Sequence, residues 1–306
     1  MILCLQQINA ISQAPISCHN TYRLGFVMKK TIHLALALSF LIGLNVQPAE
    51  AKRFVIPSDD KVLIEINGSQ KMNALNPDSI NLFVWNMYKG DKPHWKRDFL
   101  NLSRGKDVLM LQEVYLDYQM ASVMYSDDTF TYNMATSFID TKNRNSPTGV
   151  ATASPVAPQH AYWVRSIDRE PIIKTPKMLM ITEYPIAGSG DTLLTVNIHA
   201  INFVSAKKLR NMLNQIEDAV RDHTGPVVVA GDFNTWSKKK TQYLKDMARH
   251  LGLSEVIFKN DQRMKTFGKV LDYVLIKKLQ VINSKVYGEI DGSDHKAMEV
   301  HLKVRE

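Results

Sequence analysis

The chain has 306 residues, 45% of them hydrophobic and 22% charged, a balance that excludes a low-complexity or disordered protein. Its formal charge of +8 suits a polyanionic partner, and by itself it suits a solvated cationic surface equally well. Both cysteines, Cys4 and Cys18, lie before Met28, so a chain processed beyond that point contains no disulfide and must be held by its core.

Met28-Lys29-Lys30, the apolar run Thr31 to Leu44 and Ala49-Glu50-Ala51 have the order of a secretory signal peptide: basic start, short apolar stretch, small-residue cleavage site. The apolar run is too short to span a membrane comfortably. Residues 1–27 then read as an upstream mis-start, 28–51 as the signal peptide, and 52–306 as one domain of 255 residues carrying 35 basic and 29 acidic side chains, +6. A periplasmic or secreted location follows, with no stable membrane insertion after cleavage. Residues 52–78, with Pro57, Gly68 and Pro77, read as an irregular lead-in. Helices are predicted over about 93–103, 116–125, 205–221 and 239–251. The third is the clearest, with Leu209, Met212, Leu213, Ile216, Ala219 and Val220 at helical spacing and Ser205 as its N-cap. The polar stretch 140–147 reads as a loop before a strand at 149–154.

The chemistry sits where apolar runs end. Pro226-Val227-Val228-Val229-Ala230 runs into Gly231-Asp232-Phe233-Asn234. Taken alone this reads equally well as an ordinary turn, because Gly, Asp and Asn are turn residues. Yet Leu82–Trp85 runs into Asn86, Val108–Leu111 into Gln112-Glu113, and Leu193–Val196 into Asn197-Ile198-His199. Asp272 lies in the apolar strand Leu271–Val274, and Ser293-Asp294-His295 precedes the alternating run Ala297 to Val304. Six independent turns with ligand or acid–base side chains are hard to reconcile with chance. Strand ends converging on one sheet edge are where α/β proteins build sites.

The series W-N-M-Y-K (85–89), L-Q-E (111–113), N-I-H (197–199), G-D-F-N (231–234), L-D-Y (271–273) and S-D-H (293–295) resembles the endonuclease/exonuclease/phosphatase superfamily, most closely an uncharacterised bacterial branch. The resemblance covers about Asn81 to Val304. It implies a four-layer α/β/β/α sandwich, two packed mixed sheets flanked by helices, in a monomeric, Mg2+-dependent phosphoesterase, with Mn2+ as a substitute. Carried over residue by residue, it implies Asn86, Glu113 and Asp294 as metal-side residues. It gives Asp232 the attacking water, Asn234 the phosphate, His295 paired with Asp272 an acid/base or phosphate-stabilising role, and His199 a second phosphate contact. The acids and amides are expected on one side of a cleft, with both histidines opposite. Two departures stand out: the family's proline two residues after the final histidine is Ala297 here, and no acid in the sequence can be assigned to His199.

Those residue types suit phosphodiester hydrolysis. Charge builds on phosphate oxygens during attack, and a hard cation and hydrogen-bond donors stabilise it. Histidine titrates near neutrality, and a neighbouring aspartate fixes its tautomer. A nuclease is the leading expectation. The alternatives are a phosphatase or phospholipase acting on inositol phosphate or sphingolipid, and a non-catalytic binding protein on the same fold. Retention of Glu113, Asp232 and His295 argues against the last. Lys238, Lys239 and Lys240, directly after the Gly231–Asn234 turn and beside Trp236, are the expected contacts to nucleic acid. No long aromatic hairpin for attacking membranes is visible.

Overall fold

The computed structural model describes residues 52–68 and 71–305, within one compact unit, Ala51–Glu306. The expected mis-start and signal peptide lie outside the described residues. The apolar runs become the centres of two mixed sheets. In the first, the spatial order is β1 (Phe54–Val55), β5 (Thr131–Asp140), β6 (Ser146–Ser154), β4 (Val108–Tyr115), β3 (Ile80–Asn86), β16 (Met298–Val304) and β15 (Leu279–Val286), with β2 (Leu63–Ile66) also pairing β5. In the second it is β11 (Ser254–Glu255), β14 (Asp272–Lys277), β10 (Val227–Asp232), β9 (Thr192–His199), β8 (Met178–Pro185) and β7 (His160–Arg165). A small hairpin joins β12 (Lys265–Thr266) to β13 (Lys269–Val270).

Side chains alternate across each strand, and this builds the layers. Leu82 and Val84 of β3 meet Val228 and Ala230 of β10 between the sheets. Phe83 and Trp85 point outward, where Phe99 of α1 (Trp95–Leu102) and Met120 and Met124 of α2 (Tyr118–Tyr125) cover them. Val227 and Val229 point the other way, under Leu209, Met212 and Ile216 of α3 (Ala206–Val220) and Leu244 of α4 (Lys238–Leu251). The result is the four-layer α/β/β/α sandwich expected from the sequence.

Two local expectations change. The lead-in is not wholly irregular: β1 and β2 pair with β5, where Leu63 lies opposite Ala135. Only Ile66 of β2 is buried, so its sequence shows little alternation. Asp140 and residues 146–147, expected in a loop, belong to strands: Asp140 ends β5, and β6 pairs with β5 from Ser146 onward.

Parallel pairing of β10 with β9 and of β3 with β4 brings their carboxyl ends to one edge. Asp232 lies opposite His199 on one side and Asp272 on the other. Beneath this edge the sheets are stapled by Gln112, whose Nε2 donates to Asn197 Oδ1 at 2.7 Å, while Asn197 Nδ2 donates to the carbonyls of Ala151 and Leu111 at 2.9 and 3.2 Å. Gly231 makes the close approach possible: its φ is +135°, and a Cβ there would meet the Ile198 carbonyl oxygen at 2.1 Å and Gln112 Nε2 at 3.1 Å. Gly231→Ala is therefore expected to cost at least about 2 kcal/mol of stability, since backbone must move to relieve the clash. Denaturant unfolding checks this, and a midpoint unchanged from the parent would contradict it.

Candidate active site

Asp232 is the hub. It is 2% exposed at the end of β10, and four groups converge on it. Asn86 Nδ2 donates to its Oδ2 at 3.2 Å and the Asn234 backbone N–H donates to its Oδ1 at 2.9 Å. His199 Nε2 and His295 Nε2 lie 3.7 and 3.9 Å from Oδ2. Burial, and then the charges of Asp272 and Glu113, push this carboxyl up to about 7 against the opposing pull of His295. Asp232 is thus suited to taking a proton near neutral pH.

His295 is held by two loop contacts. Its N–H donates to Ser293 Oγ, which donates in turn to the Asn86 carbonyl at 2.7 Å, and its carbonyl accepts from Trp85 Nε1 at 3.1 Å. Its Nδ1 faces Asp272 Oδ2 at 2.8 Å, the expected pair. Burial opposes charge on this ring, but Asp272, Asp232 and Asp294 outweigh it and push the imidazolium up to about 10. His199 is its opposite. Burial first, then Lys177, His295 and Lys89, hold it well below the usual histidine range, so it is neutral at pH 7.

Glu113 reaches the same place by a distorted backbone. The register of β4 against β6 shifts between Leu111 and Val114, and Glu113 sits there at φ 51°. Its Oε1 lies 3.7 Å from His199 Nε2. Asp294 stands exposed beside it; partial desolvation and then Glu113 raise its carboxyl, against His295. Two neighbouring carboxylates, with the Asn86 amide adjacent, fit a hard, oxygen-seeking cation. Among the described residues a second group, Asp232, Asp272 and His295, has potential ligand atoms all within 4.8 Å of one another. The 2.8 Å contact of Nδ1 with Asp272 marks those two as an acid–base pair instead.

The eight expected residues do come together at this edge, with one correction among them and one among the lysines. The histidines are not opposite the acids: both sit within 4 Å of Asp232, and His199 is also beside Glu113. Asn234, at φ 50°, is 2% exposed and donates one proton of its Nδ2 to the Ala200 carbonyl at 2.9 Å, which fixes the side chain in place. Lys240 is 1% exposed, with its Nζ 3.9 Å from the centre of the Trp236 ring, and so it cannot contact nucleic acid. Lys238 and Lys239 are exposed, and Lys239 lies over Tyr243.

Sequence reasoning missed the cationic wall. A cavity of about 270 Å³ opens beside Glu113 and His199, lined also by Lys89, Lys177 and Glu170. Lys89 enters it from a turn in which Tyr88, Lys89 and Gly90 all have positive φ, 49°, 57° and 72°. It belongs to the W-N-M-Y-K series, so its position was marked although its role was not.

A family model described as the Endonuclease/Exonuclease/phosphatase family matches residues 83–295. The chain belongs to that family. Its members hydrolyse phosphoester bonds. A UPF0294 protein of Photorhabdus laumondii is 31% identical over 229 residues, covering 73% of this chain and 83% of the relative. Among solved structures, an endonuclease/exonuclease/phosphatase from Beutenbergia cavernae superposes with a TM-score of 0.60 at 17% identity, over 74% of this chain and 72% of its own. A mannosyl-6-phosphatase of Bacteroides thetaiotaomicron does so with a TM-score of 0.52 at 13% identity, over 73% and 99%. Likenesses at that identity speak for the fold alone.

Proposed function

We propose that this protein is a metal-dependent phosphodiester hydrolase acting on nucleic acid. The observation that carries the hydrolase reading is the convergence of Asp232 with the charged His295–Asp272 pair and the neutral His199. Asp232, with its carboxyl near neutrality, takes the proton of an attacking water, and Asn86 and the Asn234 N–H hold the carboxylate in place. His295, kept positive by Asp272, donates to phosphate oxygens as their charge grows. Neutral His199 offers a further hydrogen bond without adding repulsion to the cation side. Glu113, Asp294 and Asn86 would hold a divalent cation, Mg2+ by the hardness of their oxygens, with Mn2+ able to substitute. Bound there, it would supply Lewis-acid stabilisation of phosphate charge.

Nucleic acid is favoured by the surface beyond the catalytic edge. A hollow of about 670 Å³ is lined by Lys52, Arg53, Arg169 and Lys174 and by no carboxylate. It shares Ile172 and Ile173 with the cavity at His199. A second hollow, lined by Lys142 and Arg53 with Asp91 and Asp140, shares Lys89 with that cavity. Polyanion binding on this side releases counterions. Replacing Lys142, Arg169 and Lys174 by alanine is expected to flatten the salt slope of log K by roughly 0.7–0.9 per lost phosphate contact. Replacing Lys238 and Lys239 should leave the slope nearly unchanged. The reverse result would move the substrate path to α4.

A lipid or inositol phosphate substrate is the second reading. It is favoured by Ile172 and Phe203, 81% and 71% exposed at the rim of the cavity. Assay of the purified protein on plasmid, single-stranded DNA, RNA, bis-p-nitrophenyl phosphate, inositol phosphates and sphingomyelin, each with Mg2+, Mn2+ or EDTA, decides. Cleavage of polynucleotides that EDTA abolishes is expected, whereas turnover confined to sphingomyelin would sink the nuclease reading. The leader pattern at 28–51 supports a periplasmic or secreted enzyme, and N-terminal sequencing of protein from its natural host should find Lys52 first.

A further inference from the structure

Lys177 immediately precedes β8, whose Leu179 pairs with Ile198 of β9. That register carries the lysine to the end of β9, where its Nζ lies 3.5 Å from His199 Nδ1 and 3.4 Å from Nε2. Near-equal distances put the ammonium in line with neither ring nitrogen's lone pair, so the imidazole does not use it up as a donor. Among the described residues its ion-pair partner is Glu170, at 3.4 Å. Glu170 is itself anchored, accepting from the Asn202 backbone N–H at 3.2 Å, and Asn202 Oδ1 accepts from Trp236 Nε1 at 3.0 Å. An ammonium has three protons, and one long contact to Glu170 leaves donors to spare. The Lys177 side chain is only 14% exposed and faces the cavity it shares with Lys89, Glu113 and His199. A largely buried ammonium with unspent donors is placed to donate to a further anionic oxygen entering the cavity.

We propose that Lys177 forms an oxyanion subsite beside His199 that binds a non-bridging oxygen of the substrate phosphate. Glu170 orients the ammonium, and Lys89 adds positive charge within the same cavity. The subsite deepens the phosphoester-hydrolase reading and rests on it for its reaction. Its cation is fixed before attack begins, so it stabilises charge as it grows on the phosphate oxygens without reorganising. His199 is thus flanked by a cation held by Glu170 as well as by the carboxylates of Glu113 and Asp232. The competing account is mechanical, with Lys177–Glu170 merely fastening segment 166–177 to the Asn202 loop.

The test uses Lys177→Met, Lys177→Arg and Glu170→Gln in the purified full chain with Mg2+ or Mn2+. Four quantities are read: kcat and KM on bis-p-nitrophenyl phosphate, inorganic phosphate binding by calorimetry, metal binding, and Tm. Lys177→Met is expected to lower kcat by about 10²- to 10³-fold and weaken phosphate at least tenfold, with metal affinity within about threefold of the parent. Lys177→Arg should keep phosphate binding and recover part of kcat, and Glu170→Gln should fall between. A lower Tm with phosphate binding and kcat both near the parent's would establish the fastening role and overturn the subsite. If the parent hydrolyses none of the esters, the phosphate titration still decides. Binding lost in Lys177→Met then supports the subsite and overturns the hydrolase, while binding unchanged overturns the subsite itself.

Discussion

Asp232→Asn is expected to lower kcat by roughly 10²- to 10⁴-fold, the range associated with loss of a positioned general base. The substitution preserves volume, so the packing of β10 between β9 and β14 stays intact. What changes is the proton chemistry: a carboxamide cannot take a proton from water. It also cannot accept from both present donors. Asn86 Nδ2 and the Asn234 N–H reach different oxygens of Asp232, and an asparagine offers one acceptor oxygen for the two. One donor is left unsatisfied, at about 1–3 kcal/mol.

Stability measurements separate that local loss from general unfolding. In metal-free protein Asp232 titrates near 7, above the ordinary aspartate value of 3.8, mainly because it is buried. A carboxyl raised in the folded state binds its proton more tightly there than in the unfolded chain. Its favourable linkage is present at low pH and is lost as pH rises from about 4 to about 7. The asparagine variant carries no such ionisation. Relative to the parent, metal-free Asp232→Asn should therefore gain stability between pH 4 and pH 8. Thermal unfolding at the two pH values checks the sign. A variant that loses stability as pH rises just as the parent does would show that Asp232 is not the group titrating.

Much of this site could be read from the sequence because strand ends are marked twice, by the end of an apolar run and by a polar residue after it. Asn86, Glu113, His199 and Asp232 all have that form, and the sheet pairings that gather them follow from the fold. Lys177 and Glu170 had no comparable signal. They sit on an irregular segment before β8, and only the β8–β9 register brings Lys177 to His199. Asn234 was legible as a position, but nothing local shows that the Ala200 carbonyl takes one of its amide protons. Lys240 is different, because the signal was there. It lies on the buried stripe of α4 with Leu244, Met247, Ala248 and Leu251, at the spacing of a helix face. The charge run Lys238–Lys240 obscured a periodicity that α4 obeys.

The pair Glu113→Gln and His295→Ala is expected to split metal binding from turnover. Glu113 stands on the bulge of β4 with its carboxylate 22% exposed and Asp294 beside it, and the repulsion between these acids is what a cation would relieve. Glu113→Gln removes half of that charge and should weaken Mg2+ or Mn2+ by at least the ~10- to 100-fold associated with losing a supporting residue. His295 has its Nδ1 committed to Asp272 at 2.8 Å, and it supplies positive charge to the phosphate side. His295→Ala should lower kcat by about 10²- to 10³-fold with metal affinity within about threefold of the parent. It also removes the group that holds Asp232 down, so Asp232 should titrate still higher in the metal-free variant. Calorimetric metal titration beside steady-state kinetics reads both effects. Equal loss of metal in the two variants would place the ion among Asp232, Asp272 and His295, and the assignment of His295 as a phosphate-facing cation would fall with it.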